Sequence, residues 1–167
     1  MTSVQVRPAR IRDVRAMKTL IDHYAGKVVL AKDLVTLYED IQEFWVAEAD
    51  DVIVGCGALH VLWEDLAEIR TVAVNPLSHG LGIGNALVKS LIGTASDLGL
   101  ARIFVLTFET EFFGRHGFVP IRDTPVPPEV YDEIRRSPDE GVAQFLDLAH
   151  VKPNTLGNTR MLLHLDA

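Results

Sequence analysis

One cysteine in 167 residues, Cys56, makes an internal disulfide impossible. It lies in the apolar run Val52-Ile-Val-Gly-Cys-Gly-Ala-Leu-His-Val-Leu62, the setting of a buried structural thiol rather than a nucleophile, and it fits a reducing, cytoplasmic compartment. Long apolar segments are missing too. That run is the longest, well short of the roughly 18 residues a membrane span needs. The N-terminal Met-Thr-Ser-Val-Gln-Val-Arg lacks the apolar core of a signal peptide, so the chain reads as soluble and untargeted. Positive charge is scarce: 16 basic against 23 acidic residues leave a net charge of −7, which argues against nucleic acid or an anionic membrane as partner. The six histidines, at 23, 60, 79, 116, 150 and 164, show no metal-ligand spacing, and no metal is expected. Repeats, low-complexity tracts and linkers are absent, and the length suffices for one core without staples. The expectation is a single domain over residues 1–167.

What is present concentrates at the middle of the chain. Glu68-Ile-Arg-Thr-Val-Ala-Val-Asn-Pro76 reads as an apolar strand, and Ser78-His-Gly-Leu-Gly-Ile-Gly-Asn-Ala-Leu87 as a loop with glycine at 80, 82 and 84 that opens a helix. Glycines let backbone approach a ligand closely, and the first amides of a helix are donors at the positive end of its dipole. A plain strand-to-helix connection needs one glycine at most, so the pattern predicts an anion site. A P-loop would require Gly-Lys-Ser/Thr, which does not occur. A dinucleotide fingerprint starting at Gly82 would need a small residue at 87, where leucine stands. In an acidic chain the anion must be gripped locally, by backbone amides and a few placed cations.

The remaining elements follow from periodicity. Val4-Gln-Val-Arg-Pro is a short extended segment, and Ile11 to Tyr24 carries a helical stripe at 11, 14, 17, 20, 21 and 24. Asp33 can cap a second helix reaching about Ile41. A strand from Phe44 forms a hairpin with Val52–Leu62 through a turn at residues 49–51, and Leu66–Val74 is the next strand. The helix after the glycines places Ile83, Leu87, Leu91, Ala95 and Leu98 on one face and stops near Gly99. Arg102–Thr107 is a buried strand and residues 111–116 a short helix, while Pro125 and Pro127-Pro128 mark loop and residues 161–165 a final strand. The order predicts an α/β (α+β) fold, a mixed sheet of six or seven strands with helices on both faces.

The string His79-Gly-Leu-Gly82-Ile-Gly84 after such a strand resembles the acetyl-coenzyme A (acetyl-CoA) loop of the GNAT superfamily of N-acetyltransferases, whose pattern is Arg/Gln-x-x-Gly-x-Gly/Ala. His79 replaces the usual arginine or glutamine, which leaves the grip to backbone donors. The element order is also that of the family, whose sheet is mostly antiparallel. Further strings resemble one branch, the short-form amino-acid N-acetyltransferases of the N-acetylglutamate synthase type: Gly26-Lys-Val-Val-Leu30, Gly55-Cys-Gly-Ala-Leu59, Ala67-Glu-Ile-Arg-Thr-Val-Ala-Val74, and Phe104-Val-Leu-Thr107 followed by Phe112-Phe-Gly-Arg-His-Gly-Phe118. The resemblance implies acetyl transfer from acetyl-CoA to the α-amino group of L-glutamate or L-glutamine, the first step of arginine biosynthesis. It implies Val72, Ala73 and Val74 beside the thioester and His79, Gly80, Leu81, Gly82, Ile83 and Gly84 at the pyrophosphate. A homodimer stays open.

Acetyl transfer to an amine requires a neutral nucleophile, and the resemblance makes Glu68 the base, acting through water; the alternative is a solvated strand-end carboxylate. Thr107 could touch the sulfur or the substrate, or be an ordinary half-buried strand residue. Arg70, two residues from Glu68, could bind a carboxylate or pair structurally. The branch's arginine near Leu30 is missing, so Lys32 is the nearest cation there, and Thr159 and Arg160 match polar positions before the last strand. Where many family members have a tyrosine as general acid, this chain has Phe113. Releasing a thiol of pKa about 8.5 as thiolate at neutral pH costs only about 2 kcal/mol, so catalysis survives without it. Two other readings compete: acetylation of another small amine or peptide, and an acyl-CoA sensor without chemistry.

Overall fold

The computed structural model describes residues 3–25, 32–139, 142, 145 and 158–165. Seven strands, β1 (Val4–Pro8), β2 (Phe44–Ala49), β3 (Val52–Trp63), β4 (Leu66–Val74), β5 (Arg102–Thr107), β6 (Val119–Pro120) and β7 (Thr159–His164), form a mixed, mostly antiparallel sheet in the order β1-β2-β3-β4-β5-β7-β6. Five helices accompany them among the described residues: α1 (Val14–Tyr24), α2 (Leu34–Glu39), α3 (Ile83–Asp97), α4 (Thr110–Arg115) and α5 (Pro128–Ile134). The chain divides into two compact units, residues 1–60 with 69–98 and residues 61–68 with 99–167.

In the first unit the sheet is covered on both faces. Val14, Met17, Leu20 and Ile21 of α1 and Leu37 of α2 bury against Phe44, Val46, Cys56, Ala58 and Ala73. On the opposite face Ile83 and Leu87 of α3 meet Ala47, Ala49 and Val54. Val54 and Cys56 should share a face by the period of two, yet they belong to different cores. The register explains it: Ala47 pairs with Gly55 but Glu48 with Ile53, so Val54 is an extra residue, a bulge that flips the alternation. Asp50 and Asp51 both take left-handed φ, +50° and +64°, the conformation of the two-residue turn that best fits twisted strands.

The second unit is built on the β5–β7 ladder, in which Thr107 pairs with Thr159 and Arg102 with His164. Phe104, Leu162, Leu62 and Leu66 meet Val126, Ile134 and Phe145 there, the rings of Phe104 and Phe145 lying edge to face at 4.9 Å. Arg102 ties the turn between β3 and β4 to this unit, donating to Asp65 at 3.0 Å and to the Pro125 carbonyl at 2.6 Å.

Four expectations need correction. Pro127-Pro128 does not mark only loop: Pro128 is the first residue of α5, a position where its missing N–H costs nothing. Ile11 is 59% exposed because it sits in a single 3-10 turn, Ile11–Asp13, ahead of α1. Leu98 is 61% exposed because it follows the last turn of α3. The last strand also begins two residues earlier than the apolar pattern shows, at Thr159.

A closed ion pair anchors the start of the fold. Arg7 of β1 donates from two nitrogens to both oxygens of Asp13, at 2.8 and 3.0 Å, and the Arg10 amide donates to the same carboxylate at 2.7 Å. Burial alone would push the Asp13 carboxyl up; the Arg7 hydrogen bonds, the Arg10 amide and the charges of Arg7 and Arg12 outweigh it and hold the carboxyl below its usual range. A carboxyl lowered in the folded state contributes fully above the unfolded value of about 3.9 and loses its contribution as pH falls through the folded value. Asp13→Asn should therefore cost about 3 kcal/mol in urea unfolding at pH 7, because it leaves the buried Arg7 guanidinium with only the longer, 3.5 Å contact to Glu48 as an ionic partner. The difference from wild type should shrink on acidification toward pH 3; a difference that does not change with pH would contradict the assignment.

Candidate functional site

The centre of the chain turns out of β4 into a tight loop. The Asn75 side chain accepts from the Leu77 amide at 2.9 Å and the Ser78 amide donates to the Asn75 carbonyl at 2.8 Å. Gly80 and Gly82 then take φ of +87° and +72°, and a Cβ built on either meets nothing within 4 Å. Both need glycine for conformation, and the space above them is open. Gly84 differs from the expectation of three equivalent glycines, since it is the second residue of α3 with ordinary φ. The first α3 bond runs from the Ala86 amide to the Gly82 carbonyl, so the amides of Ile83 and Gly84 have no acceptor within the helix. His79, Gly80, Leu81 and Gly82 are exposed and Ile83 is buried, anchoring the helix start. The result is an open loop of backbone donors at the positive end of a 15-residue helix, suited to a phosphate group.

Two further glycines set the height of that helix. A Cβ on Gly55 would lie 2.8 Å from Ile83 Cγ2 and 3.0 Å from Leu87 Cδ1; one on Gly57 would lie 3.2 Å from Leu91 Cδ1 and 3.3 Å from Val72 Cγ2. Glycine inside a strand marks close approach of a neighbour, here three turns of α3. Trp45 Nε1–H latches the far end, donating to Thr94 Oγ1 at 3.1 Å.

Strand β4 carries an irregularity that no sequence signal shows. Thr71 takes φ +59°, rare for a β-branched residue, and is buried. The Cys56 thiol, pushed up to about 12 by burial, donates to the Thr71 carbonyl at 3.7 Å, so Cys56 is the structural thiol expected. Ala73 joins the α1–α2 core and Val74 the α3 core, placing consecutive residues on opposite faces just past the kink. Where the strand ends, the Tyr24 hydroxyl donates to the Val74 carbonyl at 2.6 Å. Sequence reading missed both Thr71 and Tyr24. A left-handed threonine has no propensity signature, and the Tyr24 bond joins residues 50 apart.

Before the kink on β4, Glu68 is 6% exposed and thus no solvated strand-end carboxylate. Arg70, two residues on, lies 3.7 Å from Glu43. Lys32 is buried just ahead of α2. In the second unit Thr107 and Thr159 are ladder partners, and Thr107 Oγ1 accepts from the Glu109 amide at 2.8 Å. Arg160 is adjacent to Thr159 on the strand and so points to the other side, donating to the Arg122 carbonyl. Phe113 is buried edge to face against Phe112 and Phe118, so its ring is core. The string at residues 26–30 lies outside the described residues. Among the described residues no three His, Cys, Asp or Glu are grouped to hold a metal, and no helix is long and apolar enough to cross a membrane.

Comparisons with known proteins agree with this geometry. The model of the Acetyltransferase (GNAT) family matches residues 14–118. An amino-acid acetyltransferase of Mycobacterium tuberculosis is 65% identical over 96% of this chain and 94% of its own length. One of Aeromonas salmonicida is 32% identical over 80% of this chain but only 31% of its own, so the chain spans about a third of such longer relatives. Among solved structures, a Mycobacterium tuberculosis protein in complex with CoA and NLQ superposes with a TM-score of 0.92 at 64% identity, covering 97% of this chain and 99% of that one. The N-acetylglutamate synthase of Neisseria gonorrhoeae shares the fold, with a TM-score of 0.77 at 24% identity over 100% of this chain and 36% of that one.

If the loop grips CoA through its backbone, Gly82→Ala should weaken CoA binding in calorimetry by about tenfold or more, since its Cβ projects where the ligand must approach. Gly99 offers the control: its φ is +83° and a Cβ there also meets nothing. Gly99→Ala should cost a similar amount of stability, about 1 kcal/mol, and leave CoA affinity intact. Equal affinity in both variants would refute the grip.

Proposed function

The chain belongs to the acetyltransferase (GNAT) family, and we propose that it moves acetyl from acetyl-CoA to the α-amino group of L-glutamate or L-glutamine, the first step of arginine biosynthesis. The observation that carries this reading is the 65% identity to an amino-acid acetyltransferase across nearly the whole of both chains. It spans the glycine loop, β4 and β7 together.

What acetyl-CoA supplies when bound is an activated acetyl group and a thiol that leaves easily. The chain's residues do the rest. The loop amides at 80–84 hold the pyrophosphate, with His79 and Leu81 at its rim and Ile83 rooted in the core. Residues Val72, Ala73 and Val74 lie along the strand leading into the loop, where their backbone flanks the thioester and one amide holds the charge developing on its oxygen. Glu68 takes a proton from the acceptor's ammonium, directly or through water; its burial removes competing bulk solvent from the carboxylate. Thr107 has its oxygen occupied by the Glu109 amide, which leaves its O–H to donate, to sulfur or substrate. Arg70 binds the acceptor's carboxylate, with Lys32 and Thr159 as further polar contacts, while Arg160 faces the other side of β7 and serves the Arg122 carbonyl.

The buried Phe113 ring favours a second reading, an acyl-CoA-binding module that has lost chemistry. Thiol release from acetyl-CoA across a panel of amino acids and polyamines separates the two. Glutamate or glutamine should be the best acceptor; a faster rate with polyamines would reject the acceptor assignment, and no release with any amine would reject the enzyme.

Glu68→Gln keeps shape and removes basicity. The rate constant at neutral pH should fall by about 10²–10⁴ with CoA affinity nearly intact, and recover at high pH where the amine loses its proton unaided. A neutral-pH rate within about threefold of wild type would make Glu68 structural.

A further inference from the structure

The peptide group that joins Val74 to Asn75 is held at both ends by parts of the chain far from it in sequence. Its carbonyl, on Val74, accepts from the Tyr24 hydroxyl at 2.6 Å, and its N–H, on Asn75, donates to the Val54 carbonyl at 2.8 Å. Tyr24 is the last residue of α1, and Val54 is the bulge residue of β3. We propose that Tyr24 is a positioning residue for the acetyl donor: its hydroxyl, opposite the Val54 carbonyl, fixes the peptide at which β4 hands over to the glycine loop. The inference rests on the proposed contacts of Val72–Val74 with the thioester and of the loop amides with the pyrophosphate.

That joint lies between the two places that one ligand has to reach. The pyrophosphate and the thioester of acetyl-CoA are connected by a single covalent arm, so the strand that flanks one and the loop that grips the other must keep a set relation if binding is not to cost reorganisation. The backbone torsions on either side of a planar peptide are its soft ones, and a rotation there would turn the loop against the strand. Two hydrogen bonds from different elements, one at each end of the plane, oppose that rotation. On the loop side the Asn75 side chain accepts from the Leu77 amide at 2.9 Å, and the Asn75 carbonyl accepts from the Ser78 amide at 2.8 Å. Of these four bonds, only that of Tyr24 comes from a side chain outside the segment. Met17, Leu20 and Ile21 bury α1 in the core against which the Tyr24 ring also packs, so the hydroxyl is carried on a rigid element. Burial pushes the Tyr24 hydroxyl above its usual pKa, so it stays protonated, and a donor, at neutral pH. A donor on the carbonyl also polarises the N–H at the far end of the peptide, which strengthens its bond to Val54.

Calorimetric titration with CoA, beside thermal melts, tests the proposal. Tyr24→Phe keeps the ring and removes only the hydroxyl, and it should raise the Kd for CoA by about five- to tenfold. Adenosine 3′-phosphate 5′-diphosphate, the part of CoA that ends at the pyrophosphate, cannot reach Val72–Val74, and its Kd in Tyr24→Phe should stay near that of wild type. Asp13→Asn loosens the other end of α1 and costs more stability, yet should leave CoA affinity unchanged. An unchanged CoA Kd in Tyr24→Phe, an equal loss for CoA and its fragment, or an equal loss of CoA affinity in Asp13→Asn would overturn the positioning role. Unchanged CoA affinity in Gly82→Ala would instead remove the grip on which it rests. Should Tyr24→Phe fail to fold, hydrogen exchange of the wild-type protein decides. The Asn75 amide should be protected without CoA as well as with it, and an amide that exchanges freely until CoA binds would overturn the preset joint.

Discussion

Helix α3 packs closely over Gly55 and Gly57 of β3, where an added Cβ would crowd the Ile83, Leu87 and Leu91 side chains. A methyl group at Gly55 would overlap Ile83, the first residue of α3 and the one that follows the left-handed Gly82. The height of the helix and the position of its unsatisfied amides are therefore one quantity. Protein interiors do not deform continuously, so a helix lifted by a methyl carries its whole first turn with it.

Binding and chemistry are divided between backbone and side chains. The grip proposed for an anionic donor is made of main-chain amides, which reconciles a phosphate site with a chain of net charge −7. The side chains proposed for the acceptor, Glu68 and Arg70, stand two residues apart on β4. Between them and Val72–Val74 sits Thr71, whose left-handed backbone interrupts the strand with the Cys56 thiol against its carbonyl. A regular strand would present its groups at fixed alternation; the kink re-aims those that follow.

The parts legible in the sequence were those with a period or a required conformation. The stripe of α1, the Asp50-Asp51 turn, the strand Leu66–Val74 and the glycine loop follow from spacing alone. Helix α5 was hidden because a proline pair looks like loop unless its first-turn position is known. The faces of β3 and β4 were only partly legible, since the extra Val54 and the left-handed Thr71 each break the alternation on which face assignment depends. Gly55 and Gly57 did carry a signal, glycine within an apolar strand, and their role as spacers for α3 could have been read from it. Contacts such as Tyr24 with Val74 and Glu43 with His60 join residues far apart in sequence, and nothing local encodes them.

A grip made of main chain has a consequence for how such a protein can vary. Amide groups are common to every residue but proline, so the hold proposed for this loop does not depend on which side chains decorate it, only on the two positions that turn left-handed and the helix that follows. His79 and Leu81 are exposed on this loop, and under that proposal their side chains are not the main anchor. Those positions are free to change charge, size or hydropathy and to be tuned for a partner or a solvent without touching the ligand's main anchor. The sites that cannot drift are the ones without side chains.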